Sequence, residues 1–113
     1  MARARPLAPR LTPRRLRALV EEAIVDAYDE SEQRVGFLSV LEENLACPFM
    51  TELLGLPVQV DRVTFNDAEE IVAVCHRGRQ HQQISLVDLP LPDPPPDGWE
   101  WIVAYRYWAR GQR

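Results

Sequence analysis

Lysine is absent from this chain: all 13 basic residues are arginine, which reflects coding bias rather than chemistry. No run of eighteen apolar residues occurs, so no helix is expected to span a membrane. The opening MARARPLAPRLTPRRLRALV carries charge but no apolar core before a small-residue cleavage site, so it does not read as a secretory signal. Two cysteines are too few for a disulfide framework, and the expected compartment is a reducing cytoplasm. There is no nucleophile elbow, phosphate loop or paired-acid catalytic motif. Ser39, Thr51, Thr64 and Ser85 are lone hydroxyls in plausible structural places, and an enzyme is not expected.

What is present suffices for one domain with its own core: 113 residues, 46% of them hydrophobic. The net charge of −4 conceals an asymmetry. Residues 1–17 carry six arginines and no acid, whereas the remainder carries seven arginines against seventeen acids, a net of −10. The body should therefore repel nucleic acid and anionic membrane. Residues 1–11, rich in Arg, Ala and Pro without periodicity, read as a disordered basic arm; residues 12–113 read as a single domain.

Thr12-Pro13 is a helix start, with Thr12 as N-cap and Pro13 where its missing N–H costs nothing. Leu16, Leu19, Val20, Ala23, Ile24, Ala27 and Tyr28 then recur at three- and four-residue steps, predicting a first helix over about 13–28. Asp29 and Glu30 make a short turn. Ser31 caps a second helix, whose apolar side is Val35, Leu38, Leu41 and Leu45, with Phe37 a further candidate, and which Pro48 ends by about residue 46. Gly36 allows close approach to the first helix. The short connection makes 12–46 an antiparallel helical hairpin. After Cys47-Pro48-Phe49 the period changes to two. LPVQVDRVTF, IVAVCH and QQISLVDL read as three antiparallel strands within 56–89, a small SH3-like barrel or meander. LPLPDPPP is a polyproline-type spacer. Residues 97–110 alternate as a strand would, yet Asp97, Glu100 and Gly111 supply helix signals, and an aromatic C-terminal helix closing the core is favoured. The fold class is α+β.

The stretch 21–52 holds nine acids against one base, Arg34, threaded through helical apolar periodicity. A helix ends in negative potential, so acids belong in its first turn and bases in its last. The first helix, by this reading, begins with Arg14, Arg15 and Arg17 and finishes with Glu22, Asp26, Asp29 and Glu30. The second ends in Glu42 and Glu43. Each misplaced charge costs up to about 1 kcal/mol, and like charges at i,i+4 add to it. A bound divalent cation would reverse that sign. Calcium takes six to eight oxygen ligands, and the 26–32 turn offers Asp26, Asp29, Glu30 and Glu32 together with loop carbonyls. Glu42 and Glu43 lie roughly 20 Å away along the helix, too far to share one ion; pairing with Arg14, Arg15 or Arg17 is their alternative use. The EF-hand pattern fails, since Tyr28, Ser31 and Phe37 stand at its third, sixth and twelfth positions counted from Asp26.

Ile24-Val25-Asp26-Ala27-Tyr28, then Glu30, Glu32-Gln33 and Gly36, followed by Leu41-Glu42-Glu43-Asn44-Leu45 and Pro48-Phe49, resembles the CcbP-type calcium-binding family. That family is small, acidic, without EF-hands, and implicated in calcium buffering and signalling. The resemblance implies Ca2+ as ligand and Asp26, Glu30, Glu32, Glu42 and Glu43 as the ligand pool. The chain departs from the family in its Arg-rich head and in the few acids of its strand region.

Two other readings stand beside it. A zinc site can be imagined from Cys75-His76, His81 and Cys47, but the spacing fits no standard pattern and neighbouring strand residues face opposite ways. The second is a protein-interaction module that holds no metal and docks its acidic hairpin on a basic protein partner. Calcium binding requires three or more carboxylates around one point; docking expects them to splay outward.

Overall fold

The computed structural model describes residues 10–111. All of the basic arm except Arg10 and Leu11 lies outside them, and Leu11 packs against the core. Helix α1 spans Pro13–Ala23 and starts as expected, with the Thr12 hydroxyl accepting from the Arg15 N–H at 3.1 Å. It stops five residues before the expected end. Ile24 is its C-cap and Asp26 turns left-handed at φ 64°, a conformation a short polar side chain tolerates. Tyr28, the last residue of the apolar pattern, projects into solvent, as does Val25.

Helix α2 spans Glu30–Asn44. Its N-cap is Asp29 rather than Ser31: the Asp29 carboxylate accepts from the Glu32 N–H at 2.8 Å, and Glu32 reaches back to accept from the Tyr28 N–H at 3.2 Å. This near-reciprocal arrangement satisfies two exposed donors, and a carboxylate at a helix N-terminus gains from the dipole as a hydroxyl cannot. Gly36 faces α1, where a Cβ would lie 2.2 Å from the Ala23 carbonyl oxygen. Gly36→Ala is expected to destabilise by about 1–3 kcal/mol through overpacking against backbone, despite alanine's better helix propensity. A thermal melt no lower than wild type would contradict that close approach.

The expected barrel is instead an open antiparallel sheet of order β1-β2-β3-β4, with β1 Phe49–Leu53, β2 Leu56–Phe65, β3 Ile71–Arg77 and β4 Gln80–Ser85. The outer strands β1 and β4 do not pair with each other, and helices cover one face in place of closure. Strand β1 was not foreseen; it joins β2 through Leu54-Gly55, both at positive φ, as a tight two-residue hairpin requires. Inward residues Val58, Val60, Val63, Ile71, Ala73 and Cys75 form the sheet side of the core.

The last helix, α3, spans Trp99–Gly111 and buries Trp101, Ile102, Ala104, Tyr105 and Trp108, a helical face that settles the helix-or-strand ambiguity. Helix α1 lies mainly against α3, so the N-terminal helices belong to a three-helix layer and not to a separate hairpin. Nor is 89–96 a free spacer. Leu89 is buried, Thr51 Oγ1 donates to the Pro90 carbonyl at 2.6 Å, and Arg106 donates to the carbonyls of Leu86 and Leu89. Among the described residues no helix is long and apolar enough to cross a membrane.

Candidate metal centre

The six acids singled out above are all solvent-exposed and stand at the two ends of α2. Asp26 occupies the left-handed position of the α1–α2 turn. Asp29 and Glu30 belong, with Glu32, to the N-terminus of α2 and not to the end of α1, so the helix dipole favours them. The electrostatic anomaly is smaller there than the sequence suggested. It persists at the other end: Glu42 and Glu43 sit in a last turn that holds no base.

Glu30 is already compensated, for its carboxylate meets the Arg34 guanidinium at 2.6 Å. Arg34 also approaches Glu69 at 3.8 Å, tying the 66–70 turn to α2. Sequence reasoning missed that role. Among the described residues no ion pair involves Asp26, Asp29, Glu32, Glu42 or Glu43; the expected pairing of Glu42 and Glu43 with α1 arginines is not formed there. Nor do any three of these six acids bring oxygens within 4.8 Å of one another among the described residues. As donors the turn's carboxylates suit a hard cation in kind, all oxygen and unburied, though Asp29 and Glu32 each commit one oxygen to a capping hydrogen bond. Their convergence on an ion requires side-chain movement.

The structure does bring three other ligating groups together: Asp61, His76 and His81, all within 4.8 Å. Asp61 Oδ2 and His76 Nδ1 are 2.7 Å apart, and the Gln59 amide donates to Asp61 Oδ1 at 2.8 Å. Those hydrogen bonds, with the nearby imidazoles, hold the Asp61 carboxyl below the ordinary carboxylate pKa. Cys75 faces the core, its thiol pushed up by burial and then by the Asp61 charge, while His76 faces outward. The imagined Cys75–His76 partnership is therefore not formed, as strand alternation requires. Both cysteines are free, Cys47 exposed and Cys75 buried.

Three helices layered on one face of an open four-stranded meander, with acids at both ends of the middle helix, define a small acidic α+β protein of non-EF-hand type. The family model described as calcium binding, CcbP, matches residues 17–109, and the chain belongs to that family. Its structure is similar to the crystal structure of CcbP from Anabaena, with a TM-score of 0.71 and 23% identity over 91% of this chain and 95% of that one. It is also similar to a calcium-binding protein in its calcium-binding form, with a TM-score of 0.68 and 24% identity over 86% and 91% of the two chains. No curated protein sequence matches.

Proposed function

We propose that this protein binds calcium through the exposed carboxylates at the ends of α2, acting in the cytoplasm as a buffer or sensor. The family match over 17–109 carries this reading. The carboxylates give it a chemical basis: Asp26, Asp29 and Glu32 lie on seven residues of turn and first helical turn with no cationic partner among the described residues. Bound calcium would supply the positive charge that this cluster lacks. Asp26, Asp29, Glu32 and the turn carbonyls would be its ligands, with Glu30 joining once it releases Arg34. Glu42 and Glu43 would form a second, separate pool.

Calorimetric titration of chelator-stripped protein with calcium and then magnesium tests this. Saturable calcium heat that magnesium does not reproduce is expected, and Asp26→Ala with Glu30→Ala should weaken it tenfold or more, about 1.4 kcal/mol. Flat heats at high protein concentration would overturn it. They would favour the second reading, a docking face for a basic protein partner, which the exposure of these carboxylates, no three of them convergent among the described residues, supports.

A further inference from the structure

We propose that Asp61, His76 and His81 form a second, independent metal site on the outer face of the sheet, selective for a zinc-class divalent ion rather than calcium. Two imidazoles and one carboxylate are borderline nitrogen and oxygen donors, the set that zinc and its late first-row neighbours take. Calcium needs a cage of oxygens that this face does not offer. The site does not rest on the calcium reading, because it lies on different elements and uses none of the same residues.

Register brings the three together. His76 and His81 are directly paired across β3 and β4, with ring centroids 5.5 Å apart. Gln59 pairs with His76 on the other side, and the ladder slips between Val60 and Arg62. Asp61 is the extra residue of that bulge. Inward positions run Val58 and Val60 before the slip and Val63 after it, so Asp61 and Arg62 both remain on the outer face. A bulge commonly re-aims a side chain in this way. Here it turns Arg62 outward, while Asp61, two residues past Gln59 on the same face, lies diagonal to His76.

Gln59 holds Asp61 Oδ1, leaving Oδ2 for the ion. Such an outer hydrogen bond is what orients a ligating carboxylate. The Oδ2–Nδ1 distance of 2.7 Å is somewhat shorter than the spacing of about 3.3 Å between two ligands of one tetrahedral zinc, so the ion replaces the shared proton with a small opening movement. His81 is exposed, so its imidazole is open to solvent. Water can complete the coordination from that side.

The chain has only two histidines, which makes the test direct. Tag-free, chelator-stripped protein is titrated with Zn2+ alone while the imidazole C–H resonances are followed by NMR and the heat by calorimetry. Both histidines are expected to shift together and saturate at one equivalent. His81→Ala, an exposed substitution that spares the fold, and Asp61→Asn should each weaken zinc at least tenfold. Cys47→Ser should bind as wild type, and calcium heats should be the same in all three variants. No saturable binding, saturation without both imidazoles moving, full affinity in His81→Ala, or loss in Cys47→Ser would each overturn the assignment. The last would place the ion on the exposed thiol.

Discussion

Phe37→Ala should lower stability by about 3–5 kcal/mol, the usual cost of emptying a fully buried phenylalanine site. Phe37 has no exposed surface and sits where α2 meets α3. Its ring lies 5.6 Å from Tyr105, edge-on at 68°, and 5.4 Å from Trp108. Such aromatic pairs contribute about 0.5–1.5 kcal/mol each beyond area burial. The partners cannot collapse freely into the gap. Trp108 is held by its indole N–H donating to Gln33 Oε1 at 2.8 Å, and the Tyr105 hydroxyl accepts from the Ile71 N–H on β3 at 3.4 Å. In urea the midpoint should fall by about 2 M, given slopes of 1–3 kcal/mol/M for domains of this size. Phe37→Leu, which keeps most of the volume, should lose far less. If the two variants unfolded alike, the aromatic triad would not be the joint between the helices.

How much of this was legible beforehand follows from where the information lies. The capped start of α1, strands β2 and β3, the Gly36 contact and the aromatic closure by α3 are all local patterns, and each appears near its expected position. Strand β1 was hidden because it is short and its middle runs against the pattern, although Phe49 and Leu53 at its ends do pack on the core. Thr51 is its buried residue, satisfied by the Pro90 carbonyl, while apolar Met50 faces solvent. A reader of period-two hydrophobicity sees nothing there. The barrel expectation failed for a related reason: strand signals do not say whether a sheet closes or is covered by helices.

The sites divide in the same way. The acids around α2 were visible as composition, and the family match supports the reading drawn from them. Their allocation to helix ends was not visible, because one left-handed aspartate moves the boundary between α1 and α2. That boundary decides whether the dipole opposes the charges or favours them. His76 and His81 could be set together across the hairpin from sequence, with Cys75 and Cys47 as their supposed companions, but Asp61 could not be grouped with them. Fifteen residues separate Asp61 from His76, and it is the register of β2 on β3, with Gln59 opposite His76, that brings them together.

The second large effect is expected at Gly98, where alanine should cost about 3 kcal/mol from left-handed strain and overpacking together. Gly98 precedes α3 at φ 86°, and a Cβ there would lie 2.2 Å from the Asn44 carbonyl oxygen and 2.8 Å from the Leu45 Cα. The neighbouring Asp97 carbonyl accepts from the Ala46 N–H at 2.9 Å. Backbone thus docks on backbone where α2 ends and α3 begins, beside the Glu42–Glu43 pair. Gly55 separates the two causes. It has a similar φ of 78° with nothing within 4 Å of its Cβ position, so Gly55→Ala should show the conformational cost alone, about 1 kcal/mol. Chemical denaturation of the two variants side by side measures the difference. A gap of about 2 kcal/mol is the overpacking contribution at the α2–α3 junction; equal losses would mean that this junction can open without penalty. In that case the Glu42–Glu43 end of α2 would not be held by α3, and any ligand pool there would have to be ordered by the ion itself.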